Sequence, residues 1–236
     1  MFKRKFILKL GLETLAIVVG ISVSFWLNEI SIKKNNENER IRVLNNLFVE
    51  VEELDKYCAE RMKIWNQDIS IYSQLLDDNL NTNSIEKIAV SKSRVEYNLI
   101  YYRDFSPPMN KYKSLVNTGD LKYVKSEKII EILTRLHNSN LNIIQSTVEY
   151  EKSLKSKLIS LLTLRFPNII QSSDDTRVSL KDYLIKLHSI IENDENLKSE
   201  LLVQMKYFRT RVSSLNFYLI TLEELRFELL SELQLS

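Results

Sequence analysis

The sequence predicts an all-α protein in which an N-terminal transmembrane helix continues into an antiparallel, coiled-coil-like bundle of long helices. Three observations predict this class. The 236 residues include only three Gly and three Pro, too few for a turn-rich β architecture. An apolar run near the N-terminus is long enough to cross a membrane. Apolar residues elsewhere recur mainly at spacings of three and four, the periodicity of an amphipathic helix.

The apolar run covers positions 10–28 and follows a short basic tail, 1–9. A helix needs roughly 20 apolar residues to cross the hydrocarbon core, and Glu13 is the one formal charge between positions 10 and 27. Trp26 lies near the end of the run, where an aromatic ring prefers the headgroup region. A signal peptide has a shorter apolar centre and a small-residue cleavage site, and a soluble core helix keeps a polar face. We therefore predict a retained single-pass span.

Small residues follow one face of this span. Ala16, Gly20 and Ser24 are spaced four apart, and Glu13 lies about two turns before Gly20 on the same side. Small residues let two helices approach closely in lipid, so this face predicts self-association. Two interpretations of Glu13 stay open: its carboxylate lies at the seam of a homo-oligomer, or it pairs with Lys9 and both side chains reach toward the interface.

The span resembles that of a family of uncharacterised bacterial single-pass membrane proteins with a helical soluble region. Glu13, Gly20, Ile21 and Asn28 match the family's spacing, whereas Leu12 stands where the family usually has Gly, with Gly11 one position earlier, and Trp26 precedes Asn28 instead of following it. A second stretch, 112–121, resembles the family's Tyr-x-x-Leu-x-x-Ser-Gly-x-Leu segment, with Thr118 in place of Ser. The resemblance implies topology and no activity.

Beyond the span we predict a helical stalk over 29–43 and a helical-bundle domain over 44–236. Because 29–43 contains neither Gly nor Pro, the first helix is expected to run from about 5 to 78. Its apolar stripe passes through Cys58, which we interpret as a small core residue. A second helix is expected over 84–103.

The remaining elements follow from capping residues and breakers. Ser106 is predicted to cap a helix over 107–117, which Gly119 ends in a left-handed conformation. Ser126 is predicted to cap a helix that reaches about 166, and 167–178 is predicted to be a loop. Two further helices are expected, over 179–191, where Ser179-x-x-Asp182 resembles a cap, and from 195 to about 235.

The sequence carries no recognisable catalytic, cofactor or metal site. His137 and His188 have no partner at metal-ligand spacing, and His137 lies on a helix stripe as a packed or rim residue. The aromatic residues at positions 97, 101, 102 and 105 are interpreted as core, with ligand stacking as the alternative. A net charge of +2 without a basic block argues against nucleic acid as a partner.

We therefore expect a non-enzymatic, membrane-anchored interaction or scaffold module that self-associates through its span, with the lipid bilayer and a protein as further partners. An oligomeric pore or membrane-active effector with Glu13 at the helix seam is the alternative, and a ligand sensor is a third. The expected location is the bacterial inner membrane. The positive-inside rule compares the Lys and Arg residues near the two ends of the span, and here their numbers are equal: Lys3, Arg4, Lys5 and Lys9 precede it, and Lys33, Lys34, Arg40 and Arg42 follow it. The basic tail is closer to the membrane and lacks acidic residues, which favours a periplasmic bundle.

Overall fold

The computed structural model of the chain is all-α over the part that it describes, which is the backbone of residues 2–234 and the side chains of residue 13 and residues 15–234. The side chains of the basic tail 1–9, Lys9 included, and the first side chains of the predicted span therefore lie outside the description. The α-helices are α1 Phe2–Leu75, α2 Thr82–Glu86, α3 Lys92–Ile100, α4 Asn110–Thr118, α5 Glu127–Thr134, α6 Leu141–Arg165, α7 Pro167–Asp174, α8 Leu180–Asn193 and α9 Glu195–Gln234. A 3₁₀ turn covers Asp120–Tyr123, and a π-helical segment covers Arg135–Asn140.

Helix α1 is the spine of the molecule. Its 74 residues form one unbroken helix, about 110 Å long at 1.5 Å per residue. The backbone stays helical through 29–43, as the absence of Gly and Pro predicts. The helix ends at Leu75, three residues before the predicted end.

Helix α9 packs antiparallel along the second half of α1, as predicted. Arg40 near the start of this contact bonds Glu232 at 3.0 Å, and the Tyr72 hydroxyl near its end lies 2.8 Å from the Gln204 side-chain oxygen. Helices α5 and α6, with the π-helical segment between them, form the third long rod, which also packs on α9. Each rod supplies an apolar stripe, so the three stripes meet in one continuous interior.

The buried apolar residues form two clusters along this interior. The proximal cluster, nearer to the exposed start of α1, runs from Val43 to Trp65 on α1 and from Leu215 to Leu229 on α9. The distal cluster begins at Ile71 on α1 and includes α9 from Leu197 to Phe208, together with residues of α2, α3, α7 and α8. Cys58 is fully buried in the proximal cluster, which confirms its interpretation as a core residue.

Several predicted caps are present. The side chains of Ser126 and Ser179 accept hydrogen bonds from the backbone N–H groups of Ile129 and Asp182. Gly119 ends α4 with φ at 73°, the left-handed conformation that glycine adopts without strain. The last helix begins at Glu195, as the sequence predicts.

Three predicted boundaries are wrong. The single helix over 84–103 is two short helices, α2 and α3, because Ser91 caps a new helix by accepting the N–H of Arg94. Ser106 caps nothing; its own N–H donates to the Tyr57 hydroxyl at 2.8 Å, and α4 starts only at Asn110. The predicted loop 167–178 is helical over Pro167–Asp174, since proline fits a first helical turn and Ile169 is buried in the distal cluster.

Candidate functional site: an exposed helical segment and a buried polar belt

Helix α1 is largely apolar from residue 15 to residue 32, and every residue in this range is exposed. Among the described residues this is the one helix long and apolar enough to cross a membrane, by length and composition, and none of its most apolar stretch is buried. Phe25 and Trp26, for example, are 70% and 62% exposed. Soluble monomers rarely expose a contiguous apolar surface of this size, which marks it as a surface that another phase or partner covers.

The five residues predicted for oligomerisation and membrane contact all lie on this exposed section or just before it: Glu13, Ala16, Gly20, Ser24 and Trp26. A shallow groove of about 450 Å³ surrounds Gly20 and is lined by Ile17, Gly20, Ile21, Ser24, Phe25 and Asn28. A Cβ added at Gly20 would meet no atom within 4 Å, so the missing side chain leaves open space. The helix therefore brings Gly20 and Ser24 into one groove, whereas Trp26 is not among the groove residues.

The Ser24 hydroxyl is satisfied within its own helix. It donates to the Gly20 carbonyl oxygen at 2.8 Å. A hydroxyl bonded in this way can face hydrocarbon without an unmet donor. The groove floor is therefore compatible with lipid or with a second apolar helix.

A second set of residues, which the sequence analysis missed, lies inside the bundle. We call it the polar belt; it consists of Asp68, Tyr72, Asn98, Glu151, Lys155, Gln204 and Arg211, each almost fully buried. On α1, α6 and α9, the charged members Asp68, Glu151, Lys155 and Arg211 stand between the proximal and the distal cluster, whereas Tyr72 and Gln204 lie at the adjoining end of the distal cluster. The polar belt therefore divides the hydrophobic interior in two.

Lys155 is the centre of the polar belt. Its amino nitrogen lies 2.8 Å from the Tyr72 hydroxyl and 2.8 Å from the Gln204 side-chain oxygen, and it also bonds the Asn98 main-chain carbonyl oxygen. These partners come from α1, α9 and α3, so one side chain of α6 joins four helices. Burial lowers the pKa of Lys155 to about 7, against the smaller opposing effects of Glu151 and Asp68.

Arg211 forms a separate buried ion pair beside Lys155. Its guanidinium bonds the Glu151 carboxylate at 2.6 Å and donates to the hydroxyl and carbonyl oxygens of Thr147 at 2.9 and 2.8 Å. The same group lies 5.1 Å from the ring of Trp65, a cation–π contact. Glu151 is therefore committed to Arg211.

On α1, the polar belt includes Asp68, which pairs with two arginines. Its carboxylate bonds Arg94 at 2.5 Å and lies 3.5 Å from Arg103. Both arginines are about four-fifths buried.

The sequence contains a pattern that could have indicated the polar belt. Glu151, Lys155 and Arg211 stand at or beside positions of the apolar stripes of their helices, where the helical spacing predicts apolar residues.

Another cluster of polar side chains lies in the proximal half of the bundle, where the π-helical segment places His137 inside the core. The His137 Nδ1 atom lies 3.0 Å from the Met109 sulfur, and its ring stacks on Tyr112 with 3.8 Å between centroids. Glu50 lies 3.7 Å from the other ring nitrogen. Burial lowers the pKa of His137 to about 4, which keeps the ring neutral at physiological pH.

The aromatic residues from position 97 to 105 divide between surface and core. Phe105 is buried in the proximal cluster, as predicted. Tyr101 and Tyr102 are exposed, so their interpretation as core residues is wrong. Tyr97 stacks on Tyr101 at 5.1 Å, with the Arg103 guanidinium 4.1 Å from the Tyr97 ring. The break that ends α3 at Ile100 turns this stretch to the surface.

The described residues include no group of three His, Cys, Asp or Glu side chains placed to hold a metal ion. His188, the other histidine, lies 2.8 Å from the carbonyl oxygen of Asp77 through its Nε2 atom.

Comparison with known proteins found no matching family model, no matching curated protein and no matching solved structure. The family resemblance of the span and of the 112–121 segment therefore stays a prediction.

Proposed function

We propose that this protein is a membrane-anchored, non-enzymatic helical-bundle protein that acts as an interaction or scaffold module and self-associates through its N-terminal helix. One observation carries the proposal: α1 is a single helix whose exposed apolar section, through about Ile32, continues without a break into the spine of the bundle. Such a helix holds the bundle rigidly to whatever covers its first section.

A bilayer is the partner that fits this section best. Burying a Leu, Ile or Phe side chain is favourable by roughly 1.5–3 kcal/mol, and the section exposes a series of such side chains on all sides. A protein groove would cover one face of a helix, whereas a bilayer covers every face. Trp26 and the following Asn28 and Glu29 suit the boundary between hydrocarbon and headgroups.

The groove at Gly20 supports self-association within the bilayer. Packing and close approach drive helix pairing in lipid, and Gly20 offers open space to a second helix. A homo-oligomer would then present several bundles on one membrane, which suits a scaffold that binds a protein partner. The module has no nucleic-acid-binding role in this proposal.

The oligomeric state tests the proposal. Light scattering with detergent subtraction is measured on the full chain, on Gly20→Ile and on Ser22→Ile. Ser22 is an equally exposed small residue on the opposite face of the helix. We expect a defined oligomer for the wild type and for Ser22→Ile and a monomer for Gly20→Ile. Three monomers, or loss of the oligomer in both variants, would overturn self-association through this groove.

A pore is the less well supported alternative. A lumen needs polar groups turned toward water, but the Ser24 hydroxyl bonds its own helix at Gly20. Liposome conductance that depends on Glu13 would favour the pore over the scaffold. A stable oligomer without conductance would favour the scaffold.

We further propose the bacterial inner membrane as the location, with the bundle in the periplasm. Arg40 and Arg42, which contribute to the tie in basic residues, bond Glu232 and Asp120 of the bundle respectively and belong to its base. A Ser153→Cys variant tests the orientation, because Ser153 is exposed and the native Cys58 is fully buried. Labelling by a membrane-impermeant maleimide in spheroplasts is expected. Labelling only after lysis would place the bundle in the cytoplasm.

A further inference from the structure

The polar belt has more hydrogen-bond donors than acceptors. Within the part of the chain that the structure describes, the Asn98 Nδ2 and Gln204 Nε2 donors are buried and have no partner. The neighbouring oxygens are already used. The Tyr72 hydroxyl lies 2.5 Å from the Asn98 main-chain carbonyl oxygen and 2.8 Å from the Gln204 side-chain oxygen, and both oxygens also bond Lys155. The Asn98 side-chain oxygen accepts from Arg94 at 2.6 Å. A protonated Lys155 brings three more donors to this site, whereas a neutral amine brings two and can accept one from Tyr72.

The buried carboxylates around Lys155 are already paired with arginines. Glu151 on α6 faces Arg211 on α9, and Asp68 on α1 faces Arg94 on α3 and Arg103 beyond it. Among residues 13 and 15–234, no carboxylate forms an ion pair with Lys155. Its ammonium is therefore an excess buried cation, which desolvation penalises.

The belt also lies where the two hydrophobic clusters separate. A core divided by polar groups can open in two steps, since each apolar cluster is a cooperative unit of its own. The distal cluster depends on the four-helix junction at Lys155, because α1, α3, α6 and α9 meet there.

We propose that the distal half of the bundle opens with the uptake of one proton at Lys155, so that this buried amine couples the packing of the distal helices to pH. In the closed state the amine is neutral, accepts from Tyr72 and donates to Asn98 and Gln204. In the open state water reaches the amine, which then takes up a proton. The distal surface is thereby exposed to partners more often at neutral than at alkaline pH.

The direction of the effect follows from linkage. Burial lowers the pKa of Lys155 to about 7 in the closed state, whereas a solvated lysine has a pKa near ~10.4. Between these values the open state binds one proton more than the closed state, so the opening constant rises up to about tenfold for each pH unit of acidification. Below about pH 7 both states are protonated and the dependence levels off. The Tyr72 hydroxyl stays protonated throughout, because burial holds its pKa well above the ordinary value.

Hydrogen exchange measured by mass spectrometry tests the proposal on the full chain in detergent micelles between pH 7 and pH 9. Rates are corrected for the intrinsic pH dependence of exchange and compared for the wild type, Lys155→Met and Lys157→Met. Methionine has a similar length and cannot titrate. Lys157 is an exposed lysine on the same helix and is the matched control.

In the wild type and in Lys157→Met, we expect α3, the second half of α6 and the first half of α9 to open less often as the pH rises, by up to about tenfold for each pH unit. Lys155→Met should show no such dependence, whatever its overall stability. A flat profile in the wild type, or an equal slope in Lys155→Met, would overturn the proposal. If Lys155→Met does not fold, ¹³Cε NMR of labelled lysines in the wild type decides: one lysine titrating near neutral pH supports the proposal, and titration of all lysines above pH 9 refutes it.

Discussion

The carboxylate of Glu50 on α1 accepts the backbone N–H of Tyr112, with 3.0 Å between the oxygen and the nitrogen. The same oxygen accepts the N–H of Lys111 at 2.7 Å. These are donors of the first turn of α4, whose preceding residue, Met109, provides no side-chain cap. A residue about 60 positions earlier in the chain therefore caps this helix and fixes its start at Asn110.

Replacing Glu50 should destabilise the proximal half. Glu50→Leu leaves two N–H groups without their acceptor, and we expect a loss of about 1–3 kcal/mol in the free energy of unfolding. Denaturant unfolding followed by circular dichroism measures it. Glu53→Leu is the control, because Glu53 reaches only the exposed ammonium of Lys111 and should change stability by about 1 kcal/mol or less. Equal losses in the two variants would contradict the capping role.

Gly119 should tolerate asparagine better than alanine. Its φ of 73° is strained for residues with a Cβ, but no atom within 4 Å obstructs a side chain. Gly119→Ala should therefore lose about 1 kcal/mol through the backbone alone, and Gly119→Asn less, because asparagine adopts the left-handed conformation more readily. Thermal unfolding of the three proteins measures this order. A larger loss for asparagine than for alanine would show that space, not backbone strain, decides at this position.

Local signals in the sequence predict the parts of the fold that local interactions determine. Gly119 and the caps at Ser126 and Ser179 belong to the helices that they begin or end, so their positions can be read from neighbouring residues. The start of α4 cannot be read in this way, since Glu50 supplies its cap from a distant part of the chain. From neighbouring residues alone, the sequence analysis therefore predicted Ser106 as the cap of this helix.

The polar belt escaped prediction for a related reason. A charged residue beside an apolar stripe usually lies at the edge of the buried face, where its head reaches water. Lys155 and Arg211 are fully buried instead, because residues of neighbouring helices bond them. Tyr72 of α1 bonds Lys155, and Glu151 and Thr147 of α6 bond Arg211. Which side chains meet across helices depends on the register of the packed helices, and periodicity within one helix carries no information on that register. The groove residues at Gly20, in contrast, share one helix and were predictable.

Stability should fall with acidification through the titration of His137. Its pKa is lowered to about 4 in the folded state by burial, against ~6.5 in the unfolded chain. The unfolded state binds the extra proton between these values, so the stabilising effect of the neutral ring is complete above pH 6.5 and is lost as pH falls toward 4. The shift corresponds to roughly 3 kcal/mol across the window. His137→Phe keeps the stacking on Tyr112 and should remove this part of the pH dependence.

The free energy of unfolding from pH 4 to pH 7 measures the effect for the wild type, His137→Phe and His188→Gln. Glu50 contributes with the opposite sign, because burial raises its pKa. The difference between wild type and His137→Phe gives the contribution of the histidine together with its effect on the neighbouring Glu50, and His188→Gln should follow the wild type. Parallel curves for wild type and His137→Phe would show that the ring does not resist protonation.

Replacing Arg211 alone should lower the free energy of unfolding more than replacing both Arg211 and its ion-pair partner Glu151. Arg211→Met leaves the Glu151 carboxylate buried and unpaired, and the expected loss is roughly 3–5 kcal/mol in the free energy of unfolding. Arg211→Met combined with Glu151→Leu removes both buried charges and replaces them with apolar side chains, so it should recover most of that loss. Lys152→Met is the control, since its pairing with Glu149 is exposed to solvent and should contribute little to stability. If the double variant is as unstable as Arg211→Met, the loss comes from the packing and hydrogen bonds of the guanidinium at Trp65 and Thr147, not from the unpaired charge.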